Sequence, residues 1–136
     1  MASAFLDSNV LVYAFTRDAR WVRATELLED RPTISVQTLN EFCNVMRRKL
    51  GRDWTWLKEV LATINALRLP VVPVTLDTHL EAVRIAERFG YSIFDSLLVA
   101  SALRANCDTF WSEDLQHGMV IDGRLRIANP FRMKID

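Results

Sequence analysis

The sequence predicts an α/β fold with a mainly parallel sheet, and three observations carry that expectation. Short apolar runs that end in turn-forming or capping residues alternate along the chain with longer stretches of helical period. Strands separated in this way need long crossovers, which are the connections of parallel neighbours. A chain of 136 residues that is 50% hydrophobic and 25% charged, with four Gly and four Pro, matches one globular unit with a real core and excludes collagen-like or disordered classes. Helix content should exceed strand content.

Ala4-Phe5-Leu6 reads as a buried strand stopped by the polar corner Asp7-Ser8-Asn9. Val10 to Phe15 then forms a short helix capped by Ser8 or Asn9. Between Arg20 and Asp30, Trp21, Ala24, Leu27 and Leu28 fall at helical spacing, and Pro32 separates this helix from a second strand, Thr33 to Val36. Gln37 to Leu50 is a helix with Leu39, Phe42, Cys43, Val45 and Met46 on one side, cations in its last turn and Gly51 after it. Trp54 to Leu69 is another, stopped by Pro70. Val71 to Val74 is the third strand. Asp77 or Thr78 opens a helix through Leu80, Val83, Ile85, Ala86 and Phe89 that Gly90 ends. Phe94 to Asn106 is so apolar that it should be largely buried. Thr109 to Trp111 is a fourth strand, and Asp122-Gly123 turns a closing hairpin between Met119–Ile121 and Leu125–Ile127.

Seventeen Lys and Arg balance seventeen Asp and Glu, so no global basic field draws in a polyanion. Any nucleic acid must be held locally. The two cysteines are too few for a disulfide framework, and no apolar stretch approaches the ~20 residues of a membrane span. A cytoplasmic protein with reduced thiols and no membrane partner is expected.

Most acids sit among other charges on solvated faces, but Asp7, Glu41, Asp95 and Asp114 do not. Asp7 and Asp114 follow apolar strands. Glu41 interrupts an apolar helix face between Leu39 and Phe42, and Asp95 opens the most apolar helix. Strand ends and first helical turns share one edge of an open parallel sheet, the edge where ligands bind. Carboxylates gathered there raise one another's pKa and call for a positive counter-charge. With no His, Lys or Arg beside any of the four, a divalent cation is the natural candidate, and oxygen-only ligation suits Mg²⁺ or Mn²⁺. Helix N-termini near Glu41 and Asp95 would help hold the anions. Each acid also has a purely structural explanation: a cap at Asp7, a helix-terminal charge at Asp95, an Arg partner for Glu41, a turn at Asp114.

Asp7-Ser8-Asn9, Glu41 on its helix, Phe94-Asp95-Ser96-Leu97-Leu98 and Ser112-Glu113-Asp114 resemble the four acidic motifs of PIN-domain ribonucleases, across essentially the whole chain. Ser112 to Gly118, followed by Ile127-Ala128-Asn129-Pro130-Phe131, is similar to the ending of bacterial VapC toxins. The resemblance implies one three-layer PIN-like domain over residues 1–136, its mainly parallel central sheet of four to five strands flanked by helices. It implies that Asp7, Glu41, Asp95 and Asp114 bind Mg²⁺ or Mn²⁺ for in-line hydrolysis of RNA, with Asn9 and Ser112 as supporting groups and Glu113 competing with Asp114 for the fourth place. It further implies a homodimer and a small antitoxin laid over the acidic edge; the apolar helices from Gln37 to Leu69, with Phe42, Met46, Trp54 and Trp56, are the expected place for its groove.

Arg47, Arg48, Lys49 and Arg52 are either a solvated helix end or contacts to RNA. A phosphatase-like enzyme with an Asp nucleophile is the first alternative, but its usual second Asp is replaced by Asn9. A catalytically silent binding module is the other. His79 and His117 lack zinc spacing or a nucleophile partner. Trp21 and Trp111 sit in core-pattern positions, Trp54 and Trp56 in positions that favour exposure.

Overall fold

The computed structural model describes residues 3–132. Strand β1 (Ala4–Leu6) pairs in parallel with β4 (Thr109–Trp111), β4 pairs in parallel with β6 (Leu125–Ala128), and β5 (Val120–Ile121) lies antiparallel at the edge. On the other side of β1, β2 (Ile34–Ser35) and β3 (Val71–Val72) form a second parallel pair. A bridge from Phe5 to Thr33 joins the two sheets, with Thr33 N donating to Ala4 O at 2.8 Å and Leu6 N to Thr33 O at 3.1 Å.

Among the described residues, six helices fill the crossovers: α1 (Ser8–Ala14), α2 (Trp21–Glu29), α3 (Val36–Arg48), α4 (Trp54–Ala66), α5 (Leu76–Phe89) and α6 (Ile93–Arg104). Side chains alternate across a strand, so β1 sends Phe5 to one face and Leu6 to the other. Phe5 joins Phe110, Ile127 and the buried residues of α5 and α6. Leu6 joins Val10, Leu27, Phe42, Met46 and Leu57 from α1 to α4. Two cores on opposite faces of one sheet make three layers. Helix α6 is buried from Ser96 to Leu103, as its unbroken apolar character requires.

The caps explain several boundaries. Ser35 and Thr38 form a reciprocal capping box that starts α3 at Val36, so the second strand ends at Ser35. Thr75 and Thr78 do the same for α5, which therefore begins at Leu76, ahead of the expected Asp77 or Thr78. Gly90, at φ 75°, closes α5 in the left-handed region. Asp122 and Gly123, at φ 53° and 65°, turn the β5–β6 hairpin as expected. Neither Ser8 nor Asn9 caps α1; Asp7 holds the cap position with an extended backbone, and its carboxylate makes no capping bond because it is engaged elsewhere.

Three packing expectations are corrected. Trp21 is exposed, since Ala24, Leu27 and Leu28 suffice to seat α2. Leu80 and Val83 are exposed because α5 turns Thr78, Ala82 and Ile85 inward instead. The third strand stops at Val72, and Val74 is exposed. No helix among the described residues is long and apolar enough to cross a membrane.

Candidate functional site

Parallel pairing sets Leu6 beside Trp111, so the residues that leave β1 and β4 emerge side by side, and Asp7 N donates to Trp111 O at 3.0 Å. Asp7 is 3% exposed. Its Oδ2 accepts from Ser112 Oγ at 2.8 Å and its Oδ1 lies 3.3 Å from Ser8 Oγ. The Ser8 hydroxyl also stands 3.1 Å from Glu41 Oε1, so one proton serves two carboxylates. Gln37 Nε2 donates to Glu41 Oε2 at 3.1 Å from one turn earlier on α3.

Across the cleft, Asp95 sits in the first turn of α6, which Ser92 caps by accepting from Asp95 N at 3.1 Å. Asp114 accepts from Asn9 Nδ2, while its own backbone N–H donates to Ser112 Oγ at 3.2 Å. Glu113 turns the other way: its Oε1 accepts from Tyr13 Oη at 2.8 Å and from Arg20 Nη1 at 2.6 Å. Asp7, Glu41 and Asp95 line a cleft of about 400 Å³, and Asp114 borders it through Asn9.

Burial pushes Asp7 up to about 7 from its ordinary value, the Ser112 bond opposing and the charges of Asp95, Asp114 and Glu41 adding to it. Burial also raises Glu41, against Gln37 and Ser8, with Asp95 adding to it. Asp95 is raised by burial and by Asp114, with Ser92 opposing. Glu41 lies beyond the first turn of α3, because the helix starts at Val36, so the helix N-terminus gives it little help. No Lys or Arg among the described residues forms an ion pair with any of the four acids.

The PIN domain family model matches residues 4–118. This chain belongs to the PIN domain family. Among solved structures, a toxin–antitoxin complex from Klebsiella pneumoniae aligns with TM-score 0.73 at 16% identity, covering 96% of this chain and 100% of that one. The sarcin-ricin-loop-cleaving toxin VapC20 of Mycobacterium tuberculosis aligns with TM-score 0.65 at 22% identity, over 82% of this chain and 92% of its own. FitAcB from Neisseria gonorrhoeae aligns with TM-score 0.65 at 18% identity, over 96% and 99%. At these identities the likeness is one of PIN fold. No curated protein matches the chain.

Among the described residues, the acids of this PIN domain are not drawn together into a ready-made coordination shell. They line one cleft, each engaged by its own neighbours. The donor set nevertheless fits a hard divalent cation: all oxygen, mutually repelling, and in no ion pair with a cationic side chain among the described residues.

Of the basic residues, Lys49 lines the carboxylate cleft. Arg47 donates to Arg52 O at 2.8 Å and lies over the exposed Trp54 ring at 4.4 Å, and Arg52 lies over Trp56 at 4.8 Å. Arg48 is exposed on α3. His117 is turned to the chain itself, its Nδ1 accepting from Asn129 N at 2.9 Å. Ser8 and Gln37 were missing from the sequence-derived site. Gln37 carried a signal, its i,i+4 spacing from Glu41; Ser8 looked like a cap.

Proposed function

We propose that this protein is a divalent-metal-dependent endoribonuclease and the toxin of a toxin–antitoxin pair. The observation that carries this reading is Asp7: a carboxylate buried at the end of the central strand, its pKa pushed up to about 7 by burial and three neighbouring acids, and in no ion pair with any Lys or Arg among the described residues. Burying such a group costs stability, and carboxylates perturbed in this way within clefts concentrate at functional sites.

Asp7, Glu41 and Asp95 hold the main ion, Mg²⁺ or Mn²⁺, and Asp114 completes its shell or helps a second one bind. When bound, such an ion supplies a water that is nucleophilic at neutral pH and stabilises charge on the leaving oxygen of a phosphodiester. Ser112 orients Asp7, Asn9 orients Asp114, and Ser8 with Gln37 holds Glu41. RNA as substrate is supported by the relative that cleaves the sarcin-ricin loop.

The antitoxin is supported by the relatives found as toxin–antitoxin complexes, two of them bound to DNA. Phe42 and Met46 are fully buried in the core and cannot wall a docking groove; an apolar groove of about 540 Å³ between α3 and α4 is lined instead by Leu39, Cys43, Leu61, Ile64 and Leu69, and suits an apolar antitoxin segment. Exposed Leu76, Leu80 and Val83 on α5 give an apolar surface for a homodimer, and the cytoplasm is the compartment where the substrate lies.

Purified protein incubated with labelled single-stranded RNA and Mn²⁺ tests the reading. Cleavage is expected, with its loss in EDTA and a fall of at least about 100-fold in Asp7→Asn and Asp95→Asn. Cleavage that persists unchanged in either variant overturns it.

A further inference from the structure

We propose that a second groove, beside the carboxylate cleft, is a phosphate subsite that holds the RNA strand on one side of the scissile bond, with Arg17 and Lys49 as its free cations. The groove encloses about 510 Å³ and is continuous with the cleft, sharing Asn9, Val45 and Lys49 as common walls. Arg17, Lys49 and Arg52 all line it. Its acid, Asp18, is paired with Arg20, which donates to both Asp18 carboxylate oxygens at 2.6 and 2.7 Å and shares its charge with Glu113.

The contrast with the rest of the molecule is what gives the groove meaning. Formal net charge is zero, yet three cations converge beside a cleft that carries an uncompensated excess of carboxylates. An acidic cleft repels the polyanion it would cut, so binding energy for the strand has to come from next to it. Arg17 and Lys49 make no side-chain hydrogen bond or ion pair among the described residues, whereas Arg47 is committed to the Arg52 carbonyl and the Trp54 ring. Arg17 comes from the segment between α1 and α2, far in sequence from the 47–52 cluster, and reaches the groove because α1 packs on α3. The groove opens from the Asn9 and Lys49 side of the cleft, so the subsite is one-sided.

The proposal rests on the ribonuclease reading, and the experiment separates the two. In a short single-stranded RNA around a bond that the wild-type protein cleaves, each flanking phosphate is replaced in turn by a neutral methylphosphonate. Replacement on one side of the bond is expected to slow cleavage by roughly 10-fold, with little effect on the other side. The double variant Arg17→Gln, Lys49→Gln loses that sensitivity. Its binding to the same RNA in EDTA has a salt dependence shallower by about 0.7 in log–log slope per phosphate contact removed. Both residues are exposed, and an unchanged melting temperature shows that the variant is folded. Wild-type protein that neither binds nor cleaves RNA overturns both proposals. Wild-type cleavage with equal sensitivity on both sides, or a double variant that keeps the wild-type slope, overturns the subsite alone.

Discussion

Ser112 Oγ donates to Asp7 Oδ2 at 2.8 Å while accepting from the backbone N–H groups of Asp114 at 3.2 Å and Leu115 at 3.1 Å. One fully buried hydroxyl thus joins the end of β1 to the turn after β4 and orients two of the four acids. Ser112→Ala leaves all three partners short of a bond and should destabilise the fold by about 1–3 kcal/mol, read from urea midpoints. It also removes the interaction that opposes the rise in the Asp7 pKa, so the acid limb of a pH–rate profile for RNA cleavage should move to higher pH.

Asp7 gives stability a pH dependence of definite sign. Its folded pKa of about 7 exceeds the ordinary 3.8, so its contribution is fully present below pH 3.8 and lost as the pH rises through about 7. In EDTA, Asp7→Asn should therefore gain on the parent from pH 4 to pH 8, by up to an amount on the order of 4 kcal/mol. At pH 8, added Mn²⁺ should raise the melting temperature of the parent and leave that of the variant nearly unchanged.

Glu113 and Asp114 are adjacent and should behave differently. Glu113 is paired with Arg20, both side chains partly exposed, so Glu113→Gln should cost less than about 1 kcal/mol in stability and leave Mn²⁺ affinity within about 3-fold. Asp114→Asn, whose parent carboxylate accepts from Asn9 and faces the cleft charges, should lower Mn²⁺ affinity by about 10-fold or more in calorimetric titration.

The central sheet sets the spacing of the site. Phe5 and Phe110 stack with ring centroids 5.5 Å apart and planes 9° apart on adjacent strands, both fully buried. Phe110→Ala should lower stability by about 3–5 kcal/mol, measured by denaturant unfolding.

The strands and helices were legible because local signals marked them. Apolar runs at Ala4–Leu6 and Thr109–Trp111 gave the central pair, Gly90 ended α5, and the unbroken apolar character of α6 foretold its burial. Helical period identifies apolar positions but not which of them a neighbour covers, hence the exposed Trp21, Leu80 and Val83. The four acids stood out by interrupting or ending apolar segments. Their hydrogen-bonding partners were harder to see, because Ser8 bridges to Glu41 only after distant segments meet. Arg17 gave no signal at all, since the other cations of its groove, Lys49 and Arg52, lie just past the end of α3 and far from it in sequence.

Diffraction at the manganese edge from crystals soaked in Mn²⁺ shows whether the carboxylates share an ion. An anomalous peak is expected in the cleft, within coordination distance of carboxylate oxygens from Asp7, Glu41 and Asp95, and is expected to disappear in Asp7→Asn crystals. A cleft without a peak in crystals of protein that cleaves RNA in the same Mn²⁺, or a peak coordinated by other residues, would contradict a shared ion at these carboxylates.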